Sequence, residues 1–356
     1  MTCSGSKFSS HITFLQVMEQ LVASWYNGRS LPETYVLPLE IRPGKLNVPV
    51  STNIIPVVDL GGHDETAIIQ QILEASQEFG FFQVINHGVP SNLMDEAMNV
   101  CKEFHAMSAK DKAIQCSNDL NKNCFLYTSS QRYATEKYHF WRDSLTHFCH
   151  PLEKQIQFWP EKPTRYRNVV SKYTTEVSKL GSTILELISK GLGVSPEHFS
   201  NGLTENPKMI VNHYPPCPDP TLTLGVPKHR DPVLINILLQ EDDLYGLQVF
   251  KDEEWIDVEP IPHAFVVNIG YVLQIISNGK LKGAEHRVVT NSNSARTSAS
   301  FFVNPSDETL IEPAKVLVNT SSPALYRSLP YKDFHSKFLV TSDWKELEKF
   351  VRTTSA

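Results

Sequence analysis

From about residue 208 onward the chain is written in short segments rich in branched and aromatic residues. "KMIVNHY", "LINILLQ", "LQVFKDEEWIDV", "AFVVNIG", "RVVTNS" and "TSASFFVNP" follow one another, divided by Gly, Pro, Asn or Asp. Such residues favour strands, and such dividers favour turns. Many short strands of similar length are the mark of a sandwich or jelly roll, so the C-terminal half is predicted to be an antiparallel β structure of that kind.

The part before it is mixed. "IIPVVDL" (54–60) and "FFQVINHG" read as strands, and between them "ETAIIQQILEASQEFG" carries a 3.6-residue apolar pattern that ends at Gly80. "SNLMDEAMNVCKEFHAM" is a second helix with Ser91 as its expected N-cap, and "RYRNVVSKYTTEVSKLGSTILELISKGLGV" a third that closes at Gly191. Phe14, Leu15, Met18, Leu21, Val22 and Trp25 recur at helical spacing, which predicts an amphipathic N-terminal helix packed on the body, followed by Pro-containing linkers. "SDWKELEKFVRTT" is read as a last helix. The fold class is α+β.

The chain has 356 residues, of which 41% are hydrophobic and 20% charged, enough to bury a sizeable core. A net charge of −6 without a dense Lys/Arg run argues against a nucleic-acid partner. The six cysteines, Cys3, Cys101, Cys116, Cys124, Cys149 and Cys217, form no Cys-x-x-Cys pair and no cluster, which fits a reduced intracellular protein. No stretch approaches the roughly 20 apolar residues of a membrane span, so a cytoplasmic protein without a membrane partner is expected. Asn319-Thr320-Ser321 matches a glycosylation sequon but lacks a secretory context.

The chemistry concentrates in His229, Asp231 and His286. Residues two apart on an extended segment share a face, so His229 and Asp231 would converge while Arg230 points away. A His-x-Asp pair alone is far more often a loop histidine bonded to its neighbour. His286, in "GAEHRVV" at the entrance to a strand, is placed where a jelly roll can fold it back opposite the pair. Two imidazoles and one carboxylate form the facial triad of non-haem iron(II) oxygenases, which leaves the other face of the metal open. Arg296 and Ser298, in "NSARTSASFF", are again two apart, and a guanidinium with a neighbouring hydroxyl can hold a carboxylate.

"HRDP", "EHRV", "RTS" and "NHYPPCP", with "IPVVDL" and "EFGFFQVINHGVP" before them, resemble the plant 2-oxoglutarate- and iron(II)-dependent dioxygenase family from about residue 50 to about residue 305. "FWRDSLTHFCHPL" and "LPETYV" look most like the branch that holds hyoscyamine 6-hydroxylase and the salicylate or flavonoid oxygenases. The resemblance implies a double-stranded β-helix (jelly-roll) core with an N-terminal α/β region and flanking helices. The implied segments are an N-terminal helix and linker (1–49), an N-terminal dioxygenase region (50–155), a helical connector (156–204), the dioxygenase core (205–307) and a C-terminal extension (308–356). It further implies that His229, Asp231 and His286 bind Fe(II), that Arg296 and Ser298 hold the distal carboxylate of 2-oxoglutarate, and that Tyr214 and Asn212 contact its metal-chelating end. Ascorbate would serve as reductant.

The implied reaction consumes 2-oxoglutarate and O2, releases succinate and CO2, and hydroxylates or otherwise oxidises a small specialised metabolite such as an alkaloid or a phenolic. A monomer is expected. An ascorbate-dependent oxidase that needs no 2-oxoglutarate, a zinc hydrolase, and a catalytically silent small-molecule-binding protein are the competing readings. Three positions depart from the family's pattern. Arg230 stands between the ligands and His213 within "NHY"; both alternate with functional positions and should face away. Tyr271 follows "NIG" where Asp is usual, and would line the pocket or alter the hydrogen bonding behind a ligand. Tyr138, Phe140, Trp141, Phe148, Tyr271 and Phe302 are aromatic candidates for the pocket or for the core.

Overall fold

The computed structural model describes residues 21–26, 30–44, 54–117, 119, 122–199, 202–341 and 344–353. The expected N-terminal helix lies, for Phe14 to Met18, outside the described residues. Of its later residues, Val22–Trp25 form one helical turn, whose leading amides of Val22 and Ala23 donate to the buried Asp143 carboxylate at 2.9 and 2.8 Å.

Among the described residues, twelve strands make the two main sheets. In chain order they are β1 (Val57–Asp59), β2 (Phe81–Ile85), β3 (Cys124–Thr128), β4 (Asp143–Phe148), β5 (Lys208–Tyr214) and β6 (Val226–His229). Then come β7 (Ile235–Gln240), β8 (Leu247–Lys251), β9 (Glu254–Asp257), β10 (Phe265–Ile269), β11 (His286–Val288) and β12 (Arg296–Val303). The large sheet runs β1-β2-β10-β7-β12-β5-β4-β3 and the small one β6-β11-β8-β9. Apart from the parallel β1/β2 pair, the ladders are antiparallel. This is the expected α+β architecture with a jelly-roll core.

Period-2 alternation divides the large sheet into two faces. Met209, Val211, Ile237, Val267, Ala299 and Phe301 point to one side and share a core with the helices. That side is covered by α1 (Glu65–Glu78), α2 (Ser91–Ala106) and α3 (Tyr166–Leu192). Helix α3 buries Val169, Tyr173, Val177, Leu180, Ile184 and Ile188, a 3-4 spacing that makes one apolar stripe. The opposite face of the sheet looks toward the small sheet, and Phe81, Leu238 and Val266 meet Val226, Val249 and Ile256 there. Around this apolar patch the same inner face is polar, carrying Asn212, Asn236, Gln240, Asn268, Arg296 and Ser298.

Two expected boundaries shift. Gly191 lies inside α3, and Gly193 (φ 69°) is the left-handed cap. Ser91 is the first helical residue of α2, preceded by Pro90 in extended conformation. Proline suits that edge, where a missing N–H costs nothing. Among the described residues, three further helices of six residues or more were not expected as such or only in part: α4 (Tyr271–Ile276), α5 (Tyr331–Val340) and α6 (Trp344–Val351), the last being the helix anticipated in "SDWKELEKFVRTT". The five described cysteines are free and buried. No described helix is long and apolar enough to cross a membrane.

Gly80 joins α1 to β2 at φ 67°, and a Cβ there would lie 2.2 Å from the Lys282 carbonyl oxygen. Both the left-handed backbone and the contact exclude a side chain. Gly80→Ala is expected to cost about 1–3 kcal/mol of unfolding free energy, read from urea melts followed by circular dichroism; an unchanged midpoint would show that this junction is not tightly packed.

Candidate metal centre

His229 ends β6 and His286 opens β11, and the two are direct partners in the antiparallel ladder. Their rings therefore stand side by side, with centroids 4.1 Å apart. Asp231 is not on the strand, as the sequence suggested, but two residues past its end; the chain remains extended enough there to bring the carboxylate back. His229 Nε2 is 3.3 Å from Asp231 Oδ1, and His286 Nε2 is 3.8 Å from Asp231 Oδ2. One ligand atom from each residue lies within 4.8 Å of the others, and this is the one such group of three found among the described residues.

The tautomers follow from the partners. His229 Nδ1 is 2.9 Å from the Pro227 carbonyl and His286 Nδ1 is 3.2 Å from the Ala284 carbonyl. A carbonyl only accepts, so each Nδ1 carries the proton and each Nε2 presents its lone pair toward Asp231. Burial pulls the His286 pKa down to about 4, helped by His229 and opposed by Asp231, so this imidazole is neutral at physiological pH. Burial pushes Asp231 the other way, but His286, His229 and Asn268 together outweigh it and hold the carboxyl below its ordinary value. An ionised carboxylate with two imidazole lone pairs is a donor set that fits ferrous iron.

Sequence reasoning missed what holds that carboxylate. Asn268 Nδ2 donates to Asp231 Oδ2 at 2.6 Å and Asn236 Nδ2 at 3.3 Å. The two asparagines are cross-strand neighbours on β10 and β7. Period-2 polar positions inside "LINILLQ" and "AFVVNIG" were the available signal. Next to Asn268, Gly270 passes so close to the β6–β7 connection that a Cβ would sit 1.9 Å from the Val233 carbonyl oxygen. That approach lets the Tyr271 amide donate to the Asp231 carbonyl at 2.8 Å.

Arg296 opens β12 and is paired with Tyr214, while Ser298 is paired with Asn212 and with Gln240. All five therefore share the inner face. Arg296 is 2% exposed. Its Nη2 donates to Gln240 Oε1 at 3.1 Å and its Nε to the Leu244 carbonyl at 3.4 Å, and its guanidinium lies 5.5 Å from the Tyr214 ring centre. Nη1 is buried without a protein partner. Such an orphaned donor is costly, and a carboxylate is the group that suits it. Asn212 Oδ1 accepts from Ser144 at 2.7 Å and from Arg142 at 3.4 Å, two more residues that the sequence did not single out.

The three departures turn outward. His213 stacks on His105 of α2 with centroids 5.0 Å apart, on the helix-covered side. Arg230 lies over the Trp344 ring at 5.1 Å and 3.9 Å from Glu285. Tyr271 acts behind Asp231 through its main chain, while its ring stacks on Phe334 and meets Trp344 edge-on at 4.9 Å. Tyr331 of α5 donates its hydroxyl to the Pro232 carbonyl at 3.2 Å. The C-terminal helices thus back the Asp231 turn. Among the aromatic candidates, Trp141 belongs to a separate cluster with Val22, Tyr35 and Cys217. Phe148 and Phe302 are half-buried on the inner face.

A family model described as the 2OG-Fe(II) oxygenase superfamily matches residues 205–305, and one described as the non-haem dioxygenase in morphine synthesis N-terminal matches residues 55–170. Hyoscyamine 6-dioxygenase of Hyoscyamus niger is 43% identical over 333 residues, covering 90% of this chain and 95% of the relative. The chain belongs to the 2OG-Fe(II) oxygenase superfamily. Protein DOWNY MILDEW RESISTANCE 6 of Arabidopsis thaliana is 40% identical over 323 residues, covering 90% of this chain and 94% of the relative. A crystal structure of JOX2 in complex with 2OG, Fe and JA superposes with a TM-score of 0.81 at 34% identity, covering 93% of this chain and 96% of that one. This 2OG-Fe(II) oxygenase is a 2-oxoglutarate-dependent dioxygenase that uses Fe(II) and 2-oxoglutarate.

Asn268→Leu would leave a buried carboxylate short of its closest donor. Even without metal, the variant is expected to lose about 1–3 kcal/mol in chemical denaturation. Asn236→Leu, whose contact is longer, should lose less; equal losses would contradict the ranking by distance.

Proposed function

We propose that this oxygenase oxidises an unactivated C–H bond, by hydroxylation in the first instance, of a small, mostly apolar specialised metabolite of the alkaloid or phenolic kind. The observation that carries the substrate reading is the half-buried apolar patch of Phe148, Ile210 and Phe302 on the inner face. Phe302 is directly opposite Asn236, whose amide reaches Asp231. An apolar body resting there would bring a C–H bond beside the candidate metal ligands. Two relatives point the same way: hyoscyamine 6-dioxygenase is named for an alkaloid, and a flavanone 3-dioxygenase of rice, 41% identical over 310 residues, for a phenolic.

In this reading His229, Asp231 and His286 hold iron, with Nε2 of each imidazole and the Asp231 carboxylate as donors. Arg296 Nη1 and the Ser298 hydroxyl take the far carboxylate of 2-oxoglutarate, and Tyr214 and Asn212 flank its chelating end. When bound, the metal and keto acid would supply, with O2 as the oxidant, oxidative decarboxylation to succinate and CO2 coupled to C–H oxidation, one oxygen atom ending in succinate and the other in the substrate. The protein's share is placement. The Pro227 and Ala284 carbonyls fix the imidazoles, Asn236 and Asn268 fix the carboxylate, and Gln240 fixes the guanidinium.

His286→Ala and Asp231→Ala are expected to abolish iron-dependent succinate release while leaving the circular-dichroism spectrum unchanged. Arg296→Met should raise the KM for 2-oxoglutarate about 10–100-fold, the worth of a lost charge-assisted pair. Substrate-stimulated succinate formation across a panel of alkaloids and phenolics tests the substrate class. Full turnover in Arg296→Met at ordinary 2-oxoglutarate, or stimulation by neither class, would sink the corresponding part.

A further inference from the structure

The same inner face carries a cation that the metal and keto-acid chemistry leaves unused. Lys208 opens β5, and its cross-strand partners are Phe148 on β4 and Phe302 on β12. Met209 and Val211 point into the helix-covered core, so Lys208 and Ile210 point to the inner side. One row across the sheet therefore reads Phe148, Lys208, Phe302, Asn236, and the last of these touches Asp231. Two strand spacings, about 10 Å, separate the Lys208 backbone from that of Asn236.

The lysine is half-buried, and its ammonium lies 4.6 Å from the centre of the Phe148 ring. Among the described residues it makes no ion pair and no hydrogen bond. Asp307 is the acidic group whose field reaches it, and His335 of α5 is the titratable group beside it. By contrast, Lys190 and Lys332 on the surface each pair with glutamate. Burial pulls the Lys208 pKa below its ordinary value, the expected response of a cation that has lost water without gaining a counter-ion.

We propose that Lys208 is a specificity residue and that the substrate is an apolar carboxylic acid, its carboxylate paired with the ammonium and its ring or chain lying against Phe148, Ile210 and Phe302. The inference rests on the pocket proposed above but sets aside the alkaloid half of that reading: a protonated alkaloid amine would be repelled, whereas an acid, phenolic or not, is drawn in. Pairing at Lys208 sets which carbon of the bound molecule faces His229, Asp231 and His286, so the same contact governs both selection and position of attack.

The test is calorimetric titration of the full chain with Mn(II) in place of iron and saturating 2-oxoglutarate, so that Arg296 is already engaged. The probes are benzoate, phenylacetate, trans-cinnamate and cyclohexanecarboxylate, each beside its methyl ester and the matching primary amine. At least one acid is expected to bind about 10-fold or more tightly than its ester and amine, the worth of one charge-assisted contact. Lys208→Met should bring that preference within about twofold while 2-oxoglutarate affinity is unchanged, and Lys208→Arg should keep it, as retention of the cation requires. No preference for any acid in the wild type, or a preference that survives in Lys208→Met, overturns the inference and leaves the oxygenase site standing. A wild-type chain that binds neither Mn(II) nor 2-oxoglutarate overturns both.

Discussion

The site is organised around one buried anion. Asp231 is 4% exposed, and a carboxylate so placed is tolerable only if donors surround it. The large sheet provides those donors, Asn236 and Asn268 from adjacent strands, while the small sheet brings two imidazole lone pairs to the same point and the Tyr271 amide secures the backbone. These partners come from three separated stretches of chain, around residues 229–236, 268–271 and 286. The jelly roll's two sheets, with the β6–β7 turn between them, are what bring those stretches to one point.

Much of this was legible in the sequence because strands obey a simple rule. Residues two apart share a face, so Arg296 and Ser298 could be placed together, and the structure has them on one face with Tyr214 and Asn212 opposite. The α+β class and the run of short C-terminal strands were readable for the same reason. Strands β2, β7 and β10 read as near-continuous apolar runs because both of their faces are buried.

What stayed hidden depends on tertiary register. Nothing local in "INILLQ" says that Asn236 will sit beside Asn268 rather than a residue further along, yet that pairing fixes the carboxylate. Helix α5 was missed because "YKDFHSKFLV" has no strong cap signal and its partners, Pro232 and Asn304, are remote. In "FWRDSLTHFCHPL" nothing but the resemblance marks strand β4, though its Ser144 reaches Asn212. Tyr271 looked anomalous beside the candidate metal ligands because a residue's main chain and side chain can serve different neighbours: its amide steadies the turn and its ring joins the C-terminal aromatics.

The buried cysteines bear on endurance. Desolvation pushes the thiols of Cys101 and Cys116 up to about 12 and that of Cys217 to about 11. The thiolate is the form that oxidants attack, and at neutral pH almost none is present. A catalyst that handles dioxygen and reduced iron risks corroding itself, and here the five described thiols are kept both out of reach and in their inert protonation state.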